Sequence, residues 1–388
     1  MRTLSVKLLD GIGHGGNFDR SESFEERIAG GLRIRPVRQR QQYQRQKGNH
    51  EQEFDFHIRS RGDYNSGLHC PDSLGRLQLA LRIGFAGYGY IASVHTTNLK
   101  RDARVEIGSF FDPDPARAGE LATRDFDEML SRVEAVYVTS PNTLHADLAL
   151  RAVAAGKHVF CEKPMATTLE AARKVFEAAQ SAKTVFQVGF NRRFANVYKR
   201  VRELTRTASP HAAHIKMNRG ELLKPVWTAD EKITGGFLYE TPIHMFDMMR
   251  YQFGEVASID ARLSGPNDFS MLVEFQSGMH ATFVTSADAS WFFPYERLEI
   301  FGEYSTIETQ EMDFLRYRVG LDAPTRTEDY RDVAPETKLG FAEEDRLFVD
   351  AVLGNGAPAV TALDGLRAVE LACACYLSAG EKRRVEVA

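Results

Sequence analysis

The stretch "HVFCEKP", residues 158–164, follows apolar residues with an acid, a base and a proline. Glu162 and Lys163 stand at the end of a strand candidate, where a charged pair protrudes from a sheet edge. A cationic lysine there could stabilise negative charge developing on a substrate oxygen, or it could be a surface lysine before a turn. Farther on, "GGFLYETPIHMFDMMRYQFG" places Glu240, His244 and Asp247 at i, i+4 and i+7. A helix near 240–253 would set them on one face. A carboxylate one turn from a histidine can orient the imidazole and raise its basicity for acid–base work. A satisfied helix histidine is the plainer alternative. Glu-x-x-x-His could supply two metal ligands, but no third stands out, so no metal is expected.

Two glycine loops could hold a pyrophosphate. "GIGHGG" at 11–16 matches G-x-G-x-x-G letter for letter, yet no helical stripe follows it. The place of a second strand is taken by "RIRPVRQR", which is basic and broken by proline. "GYGYIA" at 87–92 has the context that the chemistry needs. The strand "LRIGFAG" precedes it, and "YIASVHTTNL" can form the helix, with Ile91 and Val94 inward. Gly87 permits the tight turn, Gly89 lets phosphates approach the backbone, and Ala92 allows close helix–strand packing. Tyr90 and Ile91 complete the loop. Asp112 ends the next strand 20 residues after Ala92, where a carboxylate binds the adenine ribose diol. It would repel a 2′-phosphate, so NAD is favoured and NADP remains possible. A loop in a sheet protein without cofactor is the alternative.

These residues need a parallel sheet behind them. "ARVEIGSFFD", "EAVYVTSP", "GKHVFCEKP" and "TVFQVGFN" read as strands alternating with helices, the pattern of right-handed crossovers in a doubly wound α/β fold. "NTLHADLALRAVAAG" stops at Gly156, and "TTLEAARKVFEAAQ" opens with Thr167 and Glu170 at capping-box spacing. Thr139, Ser140, Pro141, Asn142 and His145 then fall at the carboxyl end of one strand, a cofactor-binding position. "GFNRRF" presents Asn191 and Arg193 after another. Beyond about residue 195 the rhythm changes. "SMLVEFQSGMHATFVTS" is a hairpin turning at Ser277-Gly278, "ERLEIFGEYSTIET" another, and the second sheet is mostly antiparallel. Two helices close the chain, the second capped by Thr361 and Asp364. The expected division is an extension over 1–79, disordered or non-native, a Rossmann domain over 80–195 and an α/β domain over 196–388.

Composition excludes several classes. The formal charge of −4 offers no basic field for nucleic acid. No apolar run reaches the ~20 residues that cross a bilayer. Four cysteines without metal-site spacing read as reduced thiols in a cytoplasmic protein.

From Leu81 onward the sequence resembles the Gfo/Idh/MocA family of glucose–fructose oxidoreductase, inositol dehydrogenase and related sugar dehydrogenases. The resemblance rests on "GFAGYGYIASVH", "VTSPNTLHADLALRAVAAGKHVFCEKPMATT", "VGFNRRF" and "GGFLYETPIHMFD", in that order and spacing. It implies a Rossmann domain followed by an α/β domain whose open sheet often forms homo-oligomer interfaces. It also implies hydride transfer between NAD(P) and a secondary hydroxyl of a sugar, inositol or related polyol. Lys163 matches the lysine that contacts the substrate hydroxyl and the cofactor ribose, and His244 the acid/base. Glu240 stands where the family usually has Asp, and Pro242 where it often has Gly. These departures put the substrate in doubt more than the chemistry. Cofactor contacts are expected from Gly87, Gly89, Tyr90, Ile91, Ala92, Asp112, Thr139, Ser140, Pro141, Asn142, His145, Glu162, Lys163 and Asn191. Substrate contacts are expected from Lys163, Arg193, Trp227, Glu240 and His244. Residues 218–236 should line the pocket, with Lys224 or Lys232 as polar contacts, although Trp227 could equally be packing. Alternatives are a reductase of a dihydrodiol, an imine or a tetrapyrrole on the same scaffold, and a non-catalytic NAD-binding regulator.

Overall fold

Six short apolar runs lie side by side as a parallel sheet in the computed structural model, which describes residues 80–114, 119–218, 226–290 and 293–387. "GIGHGG", Cys70, Lys224 and the whole 1–79 segment fall outside the described residues, as does the side chain of Trp227.

The chain enters β1 (Leu81–Ala86), α1 (Tyr90–Leu99), β2 (Val105–Phe111), β3 (Ala122–Thr123), α2 (Phe126–Arg132) and β4 (Ala135–Val138). It continues through α3 (Asn142–Ala154), β5 (His158–Glu162), α4 (Leu169–Ser181) and β6 (Phe186–Gly189). The sheet order is β3-β2-β1-β4-β5-β6, with every pairing parallel. Strands covered on both faces have no need to alternate; all four residues of β4 are buried. The order reverses between β1 and β4. The crevice for a ligand therefore opens at their carboxyl ends, beside Gly87 and Thr139.

α5 (Asn196–Ala208) leads into β7 (Pro210–Met217), α6 (Glu231–Thr234) and α7 (Ile243–Phe253). β8 (Val256–Gly265), β9 (Asp268–Phe275), β10 (His280–Ser286), β11 (Glu296–Gly302), β12 (Ser305–Gln310), β13 (Phe314–Val319) and β14 (Arg326–Asp329) follow. With the closing β15 (Val385–Glu386) they form a nine-stranded sheet, β14-β13-β12-β11-β7-β10-β9-β8-β15. Among the described strands of this sheet, only β7 and β10 pair in parallel. β9 and β10 are the expected hairpin, and Gly278 takes the left-handed turn position at φ +84°. Buried and exposed residues alternate along both, as a sheet with one solvated face requires.

The last helices return to the first sheet. After α8 (Pro335–Lys338) comes α9 (Phe341–Val352), whose Phe348 and Val349 join Leu81, Ile83, Phe85, Tyr137 and Phe160 in one apolar cluster. α10 (Ala362–Glu381) touches both sheets. A Cβ on its Gly365 would lie 2.9 Å from Met165 Sδ and Val188 Cγ2, so the approach is close, while Ser378 Oγ accepts the Ala261 N–H at 2.8 Å. The Thr361–Asp364 capping box forms as expected. The cap of α4 lies one residue later than expected. Thr168, not Thr167, accepts the Ala171 N–H, and Thr167 instead packs beside Gly235. Among the described residues no helix is long and apolar enough to cross a membrane.

Candidate active site

The loop after β1 is built around a glycine that cannot be replaced without movement. Gly87 has φ +94°, and a Cβ there would meet Ser140 Cα at 2.7 Å. Its carbonyl accepts the Thr139 hydroxyl at 2.7 Å, fastening the β1 and β4 loops together. Gly89 caps α1, and the space where its Cβ would project is open. Among the described residues no side chain caps this helix and no acid occupies its first turn. The first-turn N–H groups thus face the opening with a positive dipole end. Asp112 accepts the Tyr88 N–H at 2.9 Å and the Asp114 N–H at 2.8 Å, which aims its carboxylate along the rim. The bare helix end, the open Gly89 and the oriented acid fit a dinucleotide with a free ribose diol. The buried face of α1 is Ala92, His95, Thr96 and Leu99; Ile91 and Val94 are only half-buried and Tyr90 is exposed.

Lys163 follows β5 at the same edge. Its ammonium donates to the Glu240 carbonyl at 3.2 Å and lies 3.8 Å from Glu240 Oε2. Asn142, the first residue of α3, gives its amide to Glu240 Oε1 at 2.6 Å and to the Thr234 carbonyl at 3.2 Å. Asn142, expected on the cofactor, thus reaches across to the segment that carries Glu240. His145 ties the β4 loop to the lysine turn. Its Nδ1 is 2.7 Å from the Pro164 carbonyl and its Nε2 is 2.7 Å from that of Ser140. Burial lowers its pKa despite the two carbonyls. Pro141 stands at the N-cap of α3.

Glu240 is not on the helix of His244. It ends a 3-10 turn over Phe237–Tyr239, and α7 begins only at Ile243. The reason is local. A residue before proline is pushed out of the helical region, so Thr241 cannot start the helix, whereas Pro242 can sit at its mouth. His244 lies in the first turn of α7, buried, with the Phe190 ring edge-on at 6.0 Å. The three residues therefore do not form one helical stripe. Glu240 is brought to Lys163 and Asn142, while Asp247 pairs with Arg193.

Arg193 is anchored. Its Nε donates to Asp247 Oδ2 at 2.8 Å, and its Nη2 reaches Asp247 and Asp364. The guanidinium expected to hold substrate is occupied in fixing α7 and α10. Asn191 donates to the Leu339 carbonyl at 2.8 Å, a link to the end of α8. Lys232 is exposed in α6. Among the described residues no group of three His, Cys, Asp or Glu side chains is arranged to hold a metal.

Sequence reasoning missed a buried polar cluster directly behind the site. His95 of α1 lies between Glu162 and Asp345. The available signal was its place in the 92-95-96-99 spacing of the buried face of α1.

A parallel sheet with a glycine loop at its switch point, followed by a large open sheet, defines a two-part α/β protein with a cradle for a dinucleotide. Comparison with known proteins gives the family. The model of the GFO/IDH/MocA oxidoreductase family, NAD-binding Rossmann fold, matches residues 81–190, and that of its C-terminal α/β domain matches 209–387. The chain belongs to this family and is an NAD(P)-dependent oxidoreductase. It is similar to myo-inositol 2-dehydrogenase of Thermotoga maritima, with 27% identity over 79% of this chain and 98% of that protein. Inositol 2-dehydrogenase of Rhizobium meliloti is 28% identical over 80% of this chain and 100% of its own. Levoglucosan dehydrogenase, solved with NADH and levoglucosan, shares the fold at a TM-score of 0.72 with 21% identity, covering 80% of this chain and 99% of that one.

Proposed function

We propose that this enzyme oxidises a secondary hydroxyl of an inositol, a sugar or a related polyol, with NAD preferred over NADP. The observation that carries the reading is the Lys163 ammonium, fixed by Glu240 at the edge of the nucleotide crevice. Inositol dehydrogenases among the relatives support the substrate class. The loop amides of Gly89, Tyr90 and Ile91 would hold the pyrophosphate and Asp112 the ribose diol, with Ala92 keeping α1 close to the sheet. NAD, when bound, supplies the hydride acceptor. Lys163 would donate a hydrogen bond to the reacting oxygen and stabilise its negative charge as the carbon–hydrogen bond breaks. His244 would take the hydroxyl proton at an imidazole nitrogen. Glu240 acts on this scheme by holding Lys163, with Asn142 holding Glu240 in turn.

The test is NADH formation over a panel of inositols, aldoses and levoglucosan. Lys163→Ala and His244→Ala should each lower kcat by about 10²–10⁴-fold with NAD affinity kept within a few-fold. Unchanged turnover in both variants would refute the assignment of roles.

We also place assembly on the open face of the second sheet, where Leu272 and Val284 are exposed beside Asp260 and Arg262. Light scattering of Leu272→Lys should then report a smaller particle than the wild type. A reducing, cytoplasmic setting is supported by Cys161, Cys373 and Cys375, all free thiols.

A further inference from the structure

α1 begins at the nucleotide cradle and carries, six residues on, a histidine wholly removed from solvent. His95 Nδ1 lies 2.6 Å from Asp345 Oδ1 of α9, and Nε2 lies 3.0 Å from Glu162 Oε1 at the end of β5. A neutral imidazole has one N–H, whereas two ionised carboxylates at hydrogen-bond distance require two donors. The imidazolium meets that need. Burial opposes its charge, but Asp345 and Glu162 together hold the pKa well above the ordinary histidine value. The rings of Tyr137, Phe160 and Phe341 pack around it with centroids at 5.2, 5.0 and 5.7 Å.

Both carboxylates are also held by other partners. Asp345 also receives the Asn98 amide at 2.9 Å and the Tyr137 hydroxyl at 3.1 Å. Glu162 uses its second oxygen, Oε2, to accept the Lys163 N–H at 3.0 Å. A Cβ on Gly189 would lie 3.0 Å from Glu162 Cδ, so the carboxylate fills its slot. The side-chain carboxyl of Glu344, the other acid of α9 near this group, is buried without a hydrogen-bond partner among the described residues. Burial and the neighbouring Glu162 push its pKa well up.

We propose that His95 is a positioning residue that registers the nucleotide-binding helix α1 against the Glu162–Lys163 turn, so that the cofactor cradle and the lysine are held as one unit. The chain of contacts runs from Gly89 through α1 to His95, from its imidazolium to Glu162, and from Glu162 to the backbone of Lys163. About six residues of helix, or ~9 Å, separate the cradle from the imidazole. Without the imidazolium, Glu162 and Asp345 are two buried acids left uncompensated. Glu162 is then free to turn away, and the Lys163 N–H loses its fixed acceptor. The proposal rests on the catalytic reading of Lys163 given above.

The experiment uses the full chain with NAD and myo-inositol. His95→Gln, which carries no charge and has both of its N–H donors on one nitrogen, should lower kcat by about tenfold and leave KM and the NAD dissociation constant within about threefold. In a Lys163→Ala background the same change should have no further effect on kcat, because His95 acts through the lysine. An undiminished, additive loss in that background overturns the proposal. Backbone hydrogen exchange gives a second reading that needs no substrate. Segment 158–166 should exchange about tenfold faster in NAD-bound His95→Gln than in wild type, with the β9–β10 hairpin unchanged. Equal exchange, or faster exchange everywhere, overturns it. If His95→Gln does not fold, Asp345→Asn removes one of the two charges and is held to the same two outcomes. Should Lys163→Ala keep wild-type turnover, the reading of the lysine fails, and the exchange measurement still decides whether His95 holds the turn.

Discussion

Asp112 sits at the end of β2 with each carboxylate oxygen already accepting one backbone N–H, from Tyr88 and Asp114. Each oxygen keeps a second lone pair for a ribose hydroxyl. A 2′-phosphate at the same place would meet the negative charge at close range. Asp112→Ser should therefore raise NADP affinity and lower NAD affinity, narrowing the preference by about 1–3 kcal/mol, as measured by calorimetric titration of each cofactor. A wild-type enzyme that binds NADP more tightly would refute the role given to this carboxylate. His95 and Asp112 differ in how far they could be read from sequence. Asp112 announces itself by a fixed distance from a glycine loop. His95 is a polar residue on what pattern reading takes for an apolar face, and its partner Asp345 is 250 positions away. No local spacing encodes a contact of that range.

At the scale of elements, strands and glycine loops were legible because their signals are short. An apolar run, a turn glycine and a capping threonine lie within a few residues of one another. Helix starts were read less well. α7 begins after Pro242 and α4 after Thr168, and the first shift follows from the backbone rule for a residue before proline. The α7 start removes Glu240 from the face of His244 and leaves it beside Lys163. Arg193 has partners that no local signal announces. It stands at a strand end like a ligand contact, but Asp247 and Asp364, distant in sequence, claim its guanidinium. Gly340 could not have been singled out from sequence. It enters α9 at φ +89°, and a Cβ there would lie 2.2 Å from the Asn191 carbonyl. Gly340→Ala should lose at least about 2 kcal/mol, since the left-handed conformation alone costs about 1–2 kcal/mol and the clash adds to it. Urea unfolding measures the loss. A wild-type midpoint would mean that α9 can shift away from the Asn191 turn.

For the whole molecule, Asp364 concentrates several long-range ties. It accepts from Thr361 in the cap of α10, and from Arg193 and Arg250. Burial opposes its charge, yet Arg193 and the cap hold its pKa at about 2. A carboxylate with a depressed folded pKa stabilises the protein above the unfolded value of about 3.9. That stability is lost as pH falls from there toward 2. Asp364→Asn should remove this part of the acid dependence, so wild type and variant converge in urea stability near pH 2 and separate above about pH 4. Parallel curves would show that other acids dominate. The family match begins at residue 81, where β1 begins. A chain starting at Leu79 should therefore melt at the same temperature as the full chain and bind NAD with the same affinity, by calorimetry. A fall in either measure would assign the first residues a structural part.

The return of α9 and α10 to the first sheet bears on how such an enzyme can be recombined. In sequence the nucleotide half stops near β6, and a crossover there looks clean. In space, Phe348 and Val349 close the cluster around Phe85 and Phe160, and Asp345 supplies one wall of the histidine site. A hybrid that takes residues 80–195 from this enzyme and everything later from a relative would give its cofactor sheet a foreign back wall. The exchangeable unit is instead the interval between α5 and β14. It carries most of the second sheet and leaves both ends of the nucleotide half native, provided that the side chains of α7 and β8 that face α10, such as Arg250 against Asp364, are kept. Specificity can thus be transplanted as an internal cassette, and the last fifty residues must travel with the first hundred that they seal.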